Sequence, residues 1–250
     1  MKAHVPADSG EKRLRELCLR SQRLKEPVCT RFLTPPEAEL AVRAAGEHHL
    51  LCMLYGGYPA AERVMVCFHP DGEEPVFSIT CLHITWDGRY HQAEHRSLLG
   101  SVLGLGIERS MVGDIVITQD GAYLFAADEM AGFIAQNLAQ AGRVPVRAAV
   151  MESAPDIAPA QGDLFRDTVA SLRLDAVLAA GLNMSRSEAA GCVASGQVQV
   201  NHRPEMRTDA QLREGDLVSI RGFGRLAIKS VGVPTRKGRI PIQFESHGIH

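Results

Sequence analysis

Between Ser185 and Val200 the chain specifies a helix start, a stop and a change of period. Ser185 is followed three residues later by Glu188, the spacing of a capping box, in which each side chain satisfies a backbone N–H at a helix start. Gly196 stands where a helix ends on a left-handed residue. Val198 and Val200 then alternate with Gln197 and Gln199, the two-residue period of a half-exposed strand. Ala189, Ala190 and Val193 give the capped helix a narrow apolar face of small side chains. Just upstream, Leu174, Val177 and Leu178 share one face of a helix that Gly181 ends. The turn Glu214-Gly215-Asp216 leads into a return strand at Leu217–Ile220. Two short helices followed by a compact β unit are the expectation.

Arg186 is the first residue inside the capped helix. It cannot face the core there without a buried partner, so it is expected to point outward. Helix N-termini carry free N–H groups and partial positive charge, which together suit a phosphate. Arg173 lies on the preceding helix, Arg203 and Arg207 in the connecting loop, and Arg221, Arg225 and Lys229 after the return strand. From residue 171 onward there are 11 Lys/Arg against 7 Asp/Glu, or +4, whereas residues 1–170 carry 16 against 22, or −6. The C-terminal third is thus the better surface for a polyanion.

The rest of the chain bounds the architecture. Its 250 residues allow one large or two to three small domains. No apolar run approaches the roughly 20 residues of a bilayer span, and the N-terminus lacks the apolar core of a signal peptide. A cytoplasmic location is expected. The six cysteines form no CxxC pair, so reduced, mostly buried thiols are expected. Residues 11–26 place Leu14, Leu17 and Cys18 on one helical face before Pro27, and Thr34 with Glu37 caps a second helix over 35–46. Residues 64–69 and 76–84 read as strands separated by Pro70-Asp71-Gly72. A helix follows around 94–103, then strands at 114–118 and 122–126 joined through Asp120-Gly121, a helix from Asp128, and a final strand at 146–150. Residues 153–162, with two prolines, read as a linker. The fold class expected is α+β, divided into a helical region (1–58), an α+β sandwich (59–152), a linker (153–164) and a C-terminal unit (165–250).

That C-terminal unit resembles the S4 RNA-binding domain, on Arg173-Leu174-Asp175, Ser185-Arg186, Ala189 or Ala190, Gly196, Val198, Val200 and Asn201. His202 departs from the pattern, which usually has glycine there. Further segments resemble the YlmH family: Phe32-Leu33-Thr34-Pro35, Tyr55-Gly56-Gly57-Tyr58, Ala61-Glu62-Arg63, the run from Leu99 to Ile107, Gly113-Asp114-Ile115 and Arg221-Gly222-Phe223-Gly224-Arg225. The resemblance implies a helical N-terminal part, an RRM-like middle and a C-terminal S4 domain. It implies a non-enzymatic factor that binds ribosomal RNA of the large subunit and an obstructed peptidyl-tRNA. In ribosome-associated quality control it would support extension of the stalled chain with a C-terminal tail. Other quality-control factors are further expected partners, and a link to cell division is attached to the family. The RNA-binding residues expected are Arg173, Ser185, Arg186, Ser187, Asn201, Arg203, Arg207, Arg221 and Arg225. No cofactor, no metal and no membrane contact are expected, and the chain is expected to be a monomer.

Catalytic readings compete with this one. His91-Gln92-Ala93-Glu94-His95 spells the H-x-x-E-H pattern of some zinc hydrolases, but as a short motif it reads better as surface histidines. Gly104-Leu105-Gly106 lacks the preceding strand and third glycine of a nucleotide loop, and reads as a helix end and a turn. Pseudouridine synthases with S4 domains carry a catalytic aspartate in an R-L-D context. Here Arg173-Leu174-Asp175 falls within the S4-like unit itself, where an Arg–Asp contact orients the helix. An S4-docked RNA-modifying enzyme of pseudouridine synthase or methyltransferase type, and a cell-division adaptor, stand as alternatives. Phe68, Phe77 and Tyr123 are expected in the core of the middle domain, which is expected to serve as a spacer or protein-contact module.

Overall fold

The charged N-terminal segment folds as α1 (Ala7–Leu24), followed by β1 (Val28–Cys29), α2 (Pro35–Glu47), β2 (Leu51–Tyr55) and β3 (Met65–His69). At the start of α2 the backbone N–H and hydroxyl of Thr34 both donate to the Glu37 carboxylate at 2.7 Å, with Pro35 and Pro36 in the first turn. Leu14 and Cys18 of α1 meet Ala38, Ala41 and Ala45 of α2 over Val66 and Phe68 of β3. The alanines let the helices approach the sheet closely. These elements belong to the first of two compact units, Met1–Pro159 and Ala160–His250, in a computed structural model that describes residues 7–88, 93–153, 155–157, 162–221 and 223–247.

The first region is therefore not helical alone. β1, β3 and β2 form an antiparallel sheet with β3 at its centre. The runs at 64–69 and 76–84, read as strands separated by a turn, fall in different sheets: among the described residues β3 pairs with β1 and β2. Both runs are rich in β-formers, and β-propensity does not say which partner a strand takes. Cys29 and Cys67 are direct partners across β1 and β3 and are joined by a disulfide, a correction to the expectation of reduced thiols. Their 38-residue separation hides the pairing from any spacing rule. Cys18 and Cys81 are free and buried, and burial pushes each thiol up to about 11.

The chain continues through β4 (Ile79–Thr85), α3 (His95–Gly104), β5 (Val112–Thr118), β6 (Gly121–Ala127), α4 (Asp128–Asn137), the short pair β7 (Gln140–Ala141) and β8 (Val144–Pro145), and β9 (Arg147–Val150). The sheet order β5-β6-β4-β9 with helices after its first and third strands is the split βαβ, or ferredoxin-like, topology. The chain thus holds a βαββαβ unit, in which the strand at 147–150 is an integral edge beside β4. Leu98, Val102, Ala131 and Ile134 from the helices are buried with Leu82, Ile84, Ala122 and Leu124 from the sheet. Thr118 lies opposite Gly121, leaving Gln119 and Asp120 as a two-residue turn. Gly106, with φ +86°, turns the chain after α3, as its glycine-rich run suggested.

The second unit begins with β10 (Asp163–Val169), whose first residues fall inside the span expected to be linker. It continues with α5 (Leu174–Gly181), α6 (Arg186–Ala194), β11 (Val198–Val200), β12 (Arg203–Pro204), β13 (Leu217–Ile220), β14 (Gly224–Val231) and β15 (Ile240–His247). Its six strands make one antiparallel sheet in the order β10-β15-β14-β13-β11-β12. Leu174, Val177, Leu178, Ala189 and Val193 cover Val198, Val218, Ile220 and Leu226. A Cβ on Gly181 would lie 2.1 Å from Leu226, so glycine both ends α5 and admits the sheet beneath it. The whole chain is α+β.

Candidate nucleic-acid interface

The capping box forms as its spacing requires. Ser185 Oγ accepts from the Glu188 N–H at 3.2 Å, and the Glu188 carboxylate accepts from the Ser185 N–H at 2.8 Å. Hydrogen bonding from the Ser185 side chain and backbone holds the Glu188 carboxyl below its ordinary value. Ser187, between them, is exposed.

Arg186 does not stand alone at this helix start. Its Nη2 donates to Asp175 Oδ2 at 2.7 Å. Arg173 grips the same carboxylate with two bonds, Nε to Oδ1 at 3.1 Å and Nη2 to Oδ2 at 3.2 Å. The Asp175 side chain is 9% exposed, against 38% for Arg173 and 56% for Arg186. Burial by itself would raise the Asp175 carboxyl, but the hydrogen bonds from Arg173 and Arg186 outweigh it and hold the group below the usual carboxylate range. Arg173 is held above its ordinary value by the bond to Asp175. The backbone builds this node: the N–H groups of Leu174 and Asp175 donate to the carbonyls of Ala210 and Thr208. That contact brings the 207–210 loop alongside the start of α5. Arg186 thus has the buried partner that its sequence context did not reveal, and its side chain is still more than half exposed. A guanidinium carries five N–H donors, so one bond to Asp175 leaves the fork open for a phosphate.

The remaining candidates are distributed more widely. Arg207 is 74% exposed and lies 3.5 Å from Asp209, next to Thr208 and hence to the node. Arg203 is on the edge strand β12, opposite Val200. Arg221 is exposed at the hairpin between β13 and β14, where its N–H donates to Gln197 O, and Arg225 pairs with Ser219. Asn201 has a local role: its Nδ2 donates to Asp216 at 2.8 Å and its Oδ1 accepts from the Leu217 N–H at 2.9 Å. Asn201 and His202 have φ of 48° and 64°, so the hairpin between β11 and β12 turns on two left-handed residues. Asn and His enter that region more readily than most side chains, which lets His202 stand where glycine is usual.

In the first unit, Phe68 lies in the core beside α1 and α2 and takes no part in the four-stranded sheet. Phe77 packs against Tyr55, with ring centroids 5.6 Å apart. Tyr123 stacks on His83 at 5.0 Å, on the sheet face away from α3 and α4. Part of that face is closed: Tyr58 stacks on Phe125 at 5.0 Å, and a Cβ on Gly57 would lie 2.2 Å from the Phe125 ring. His91 and Gln92 lie outside the described residues. Among the described residues no group of three or more His, Cys, Asp or Glu could hold a metal ion, and no helix is long and apolar enough to cross a membrane.

Residues 172–218 match the family model of the S4 domain, and residues 72–154 match the model described as a putative RNA-binding domain in YlmH. Over 220 residues, 86% of each chain, the sequence is 33% identical to the "Ribosome-associated protein quality control protein P2" of Bacillus subtilis (strain 168). The chain belongs to the YlmH family. The solved "Cell division protein ylmH from Streptococcus pneumoniae" shares the fold, with a TM-score of 0.50 at 24% identity over 60% of this chain and 95% of that one. In this YlmH-family chain the domain expected to be a spacer is thus one that the family model describes as putatively RNA-binding.

Proposed function

We propose that this chain is a non-enzymatic RNA-binding factor of the ribosome. It would bind large subunits that carry an obstructed peptidyl-tRNA and support C-terminal tailing of the stalled chain. The carrying observation is the Asp175 node: two arginines at the starts of successive helices share one buried carboxylate within an S4 domain. The quality-control title of the Bacillus relative supports the ribosomal setting. Arg173, Arg186 and Arg207 would contact phosphates and read the shape of structured RNA rather than base edges. Ser187, Arg203, Arg221 and Arg225 extend the proposed surface. Asn201 acts indirectly by holding the β11–β12 turn. The same node argues against the enzyme reading, because a catalytic aspartate must reach its substrate. Here both Asp175 oxygens are engaged and the group is buried.

The test is co-sedimentation of the full-length protein with large subunits carrying peptidyl-tRNA. Arg186→Ala should lower the affinity about tenfold and reduce the slope of log affinity against log salt by about one. Circular dichroism should show an intact fold. Unchanged co-sedimentation with the fold intact removes Arg186 from the interface.

A further inference from the structure

The positive charge of the C-terminal third does not lie on the segment that matches the S4 domain. Residues 171–218 carry 5 Lys/Arg against 6 Asp/Glu, or −1, whereas residues 219–250 carry 6 against 1, or +5. Most of that second segment is the hairpin of β14 and β15, which adds to the sheet beyond the S4 match.

The turn of this hairpin is held in one geometry. The Thr235 N–H donates to Arg239 O at 2.7 Å, the Gly238 N–H to Thr235 O at 2.8 Å and the Arg239 N–H to Thr235 Oγ1 at 3.2 Å. Gly238, with φ +74°, supplies the left-handed residue that ends such a turn. Arg239 is the fastener: its Nε donates to Thr168 Oγ1 at 2.7 Å and its Nη2 to Thr168 O, which ties the turn to β10. Arg236 and Lys237 are left as the two central residues of the turn, and both are exposed. Among the described residues neither has a carboxylate within ion-pairing distance. Two adjacent cations fixed on a rigid tip repel each other, and a polyanion relieves that repulsion without first having to order the tip.

Register places the tip. Val169, the last residue of β10, is paired with Ile240, the first of β15, and Arg173 follows Val169 by four residues. The hairpin therefore leaves the sheet at the end where the chain passes into α5 and the Asp175 node. The chemistry favours a phosphate backbone over a lipid surface. Cationic membrane contacts carry large apolar or aromatic side chains among their charges, and the apolar residues from Gly232 to Arg239 are only Val233 and Pro234.

We propose that the β14–β15 hairpin is a second RNA contact of this chain, in which Arg236 and Lys237 each neutralise a backbone phosphate outside the S4-matching segment. This rests on the RNA-binding reading of the second unit and adds to it a contact that uses neither Arg173 nor Arg186. Phosphate contacts carry no base information, so the hairpin contributes affinity and fixes the orientation of the domain on its RNA.

The test is co-sedimentation of the full-length protein with large subunits carrying peptidyl-tRNA, over a range of salt. The double substitution Arg236→Ala, Lys237→Ala should lower the affinity about tenfold and reduce the slope of log affinity against log salt by about two. Circular dichroism should be unchanged, because both side chains are exposed. Arg186→Ala is measured in parallel, and the slope changes of tip and node should add. With a diazirine amino acid in place of Val233, which is 86% exposed, irradiation should cross-link the tip to RNA. A loss confined to the tip variant supports the hairpin and removes Arg186 from the interface. A loss confined to Arg186→Ala overturns the hairpin and leaves the function standing. An unsubstituted chain that binds no large subunit overturns both. Cross-links to ribosomal protein alone, or none, also overturn the proposal. So does tip-dependent binding of phosphatidylglycerol vesicles with large-subunit binding unaffected.

Discussion

Each unit of the molecule brings two arginines together, and it does so in opposite ways. In the second unit, Arg173 and Arg186 converge on the carboxylate of Asp175, which neutralises one charge and holds both guanidiniums partly in solvent. In the first, Arg63 and Arg109 converge on the Val112 carbonyl, a neutral acceptor, and tie the Phe32, Arg109 and Gly113 backbone segments together. A side-chain anion can orient arginines toward a surface. Carbonyls draw them inward as crosslinks, and their charge is balanced without direct contact, by Asp114 for both and by Glu37 for Arg63. The number of arginines therefore says little about what each pair does; the kind of acceptor decides it.

The contrast can be broken most directly at Arg63. Arg63→Ala removes the crosslink between three segments and leaves carbonyls at Phe32 and Val112 without that donor. It should destabilise the first unit by about 3 kcal/mol and lower its Tm by roughly 6–12 °C. A shift of a degree or less by calorimetry shows that the crosslink is dispensable.

Asp175→Ala should act more weakly on stability, by about 1–2 kcal/mol, because both partner arginines are partly solvated. Its RNA affinity should fall along with that of Arg186→Ala, since the fork loses its anchor. In a double-mutant cycle the two substitutions should then be less than additive. Full additivity separates the node into independent residues.

The same carboxylate predicts a pH response. Its folded-state value is depressed, so its stabilisation is fully present above the unfolded carboxylate value near 3.9 and is lost as pH falls through the lower folded value. In Asp175→Asn the loss of stability of the second unit between about pH 4 and pH 2 should be shallower than in the unsubstituted chain. Identical acid transitions show that other carboxylates dominate.

The smallest effect expected is at His202. His202→Gly relieves a left-handed side chain but adds unfolded-state entropy, so a net gain of about 0.5 kcal/mol is expected in urea unfolding. Destabilisation instead means that the imidazole makes a contact worth more than the turn strain.

Local sequence determined the features that close within a few residues. The Ser185–Glu188 and Thr34–Glu37 boxes and the left-handed Gly196 and Gly106 are each governed by partners two to four positions away and by backbone sterics. The helices at 35–47, 174–181 and 186–194 and the strands at 65–69, 112–118, 121–127 and 217–220 were legible through their hydrophobic period for the same reason, whereas the strands at 51–55, 163–169, 224–231 and 240–247 were not. Only the tertiary structure decided which strands meet and which charges neutralise each other. β3 joins β1 and β2 rather than β4, Cys29 meets Cys67, Arg186 finds Asp175 eleven residues back, and Arg63 meets Phe32 and Arg109. These pairings depend on how sheets and helices stack, and a residue's own neighbours carry no record of the partner that packing will bring to it.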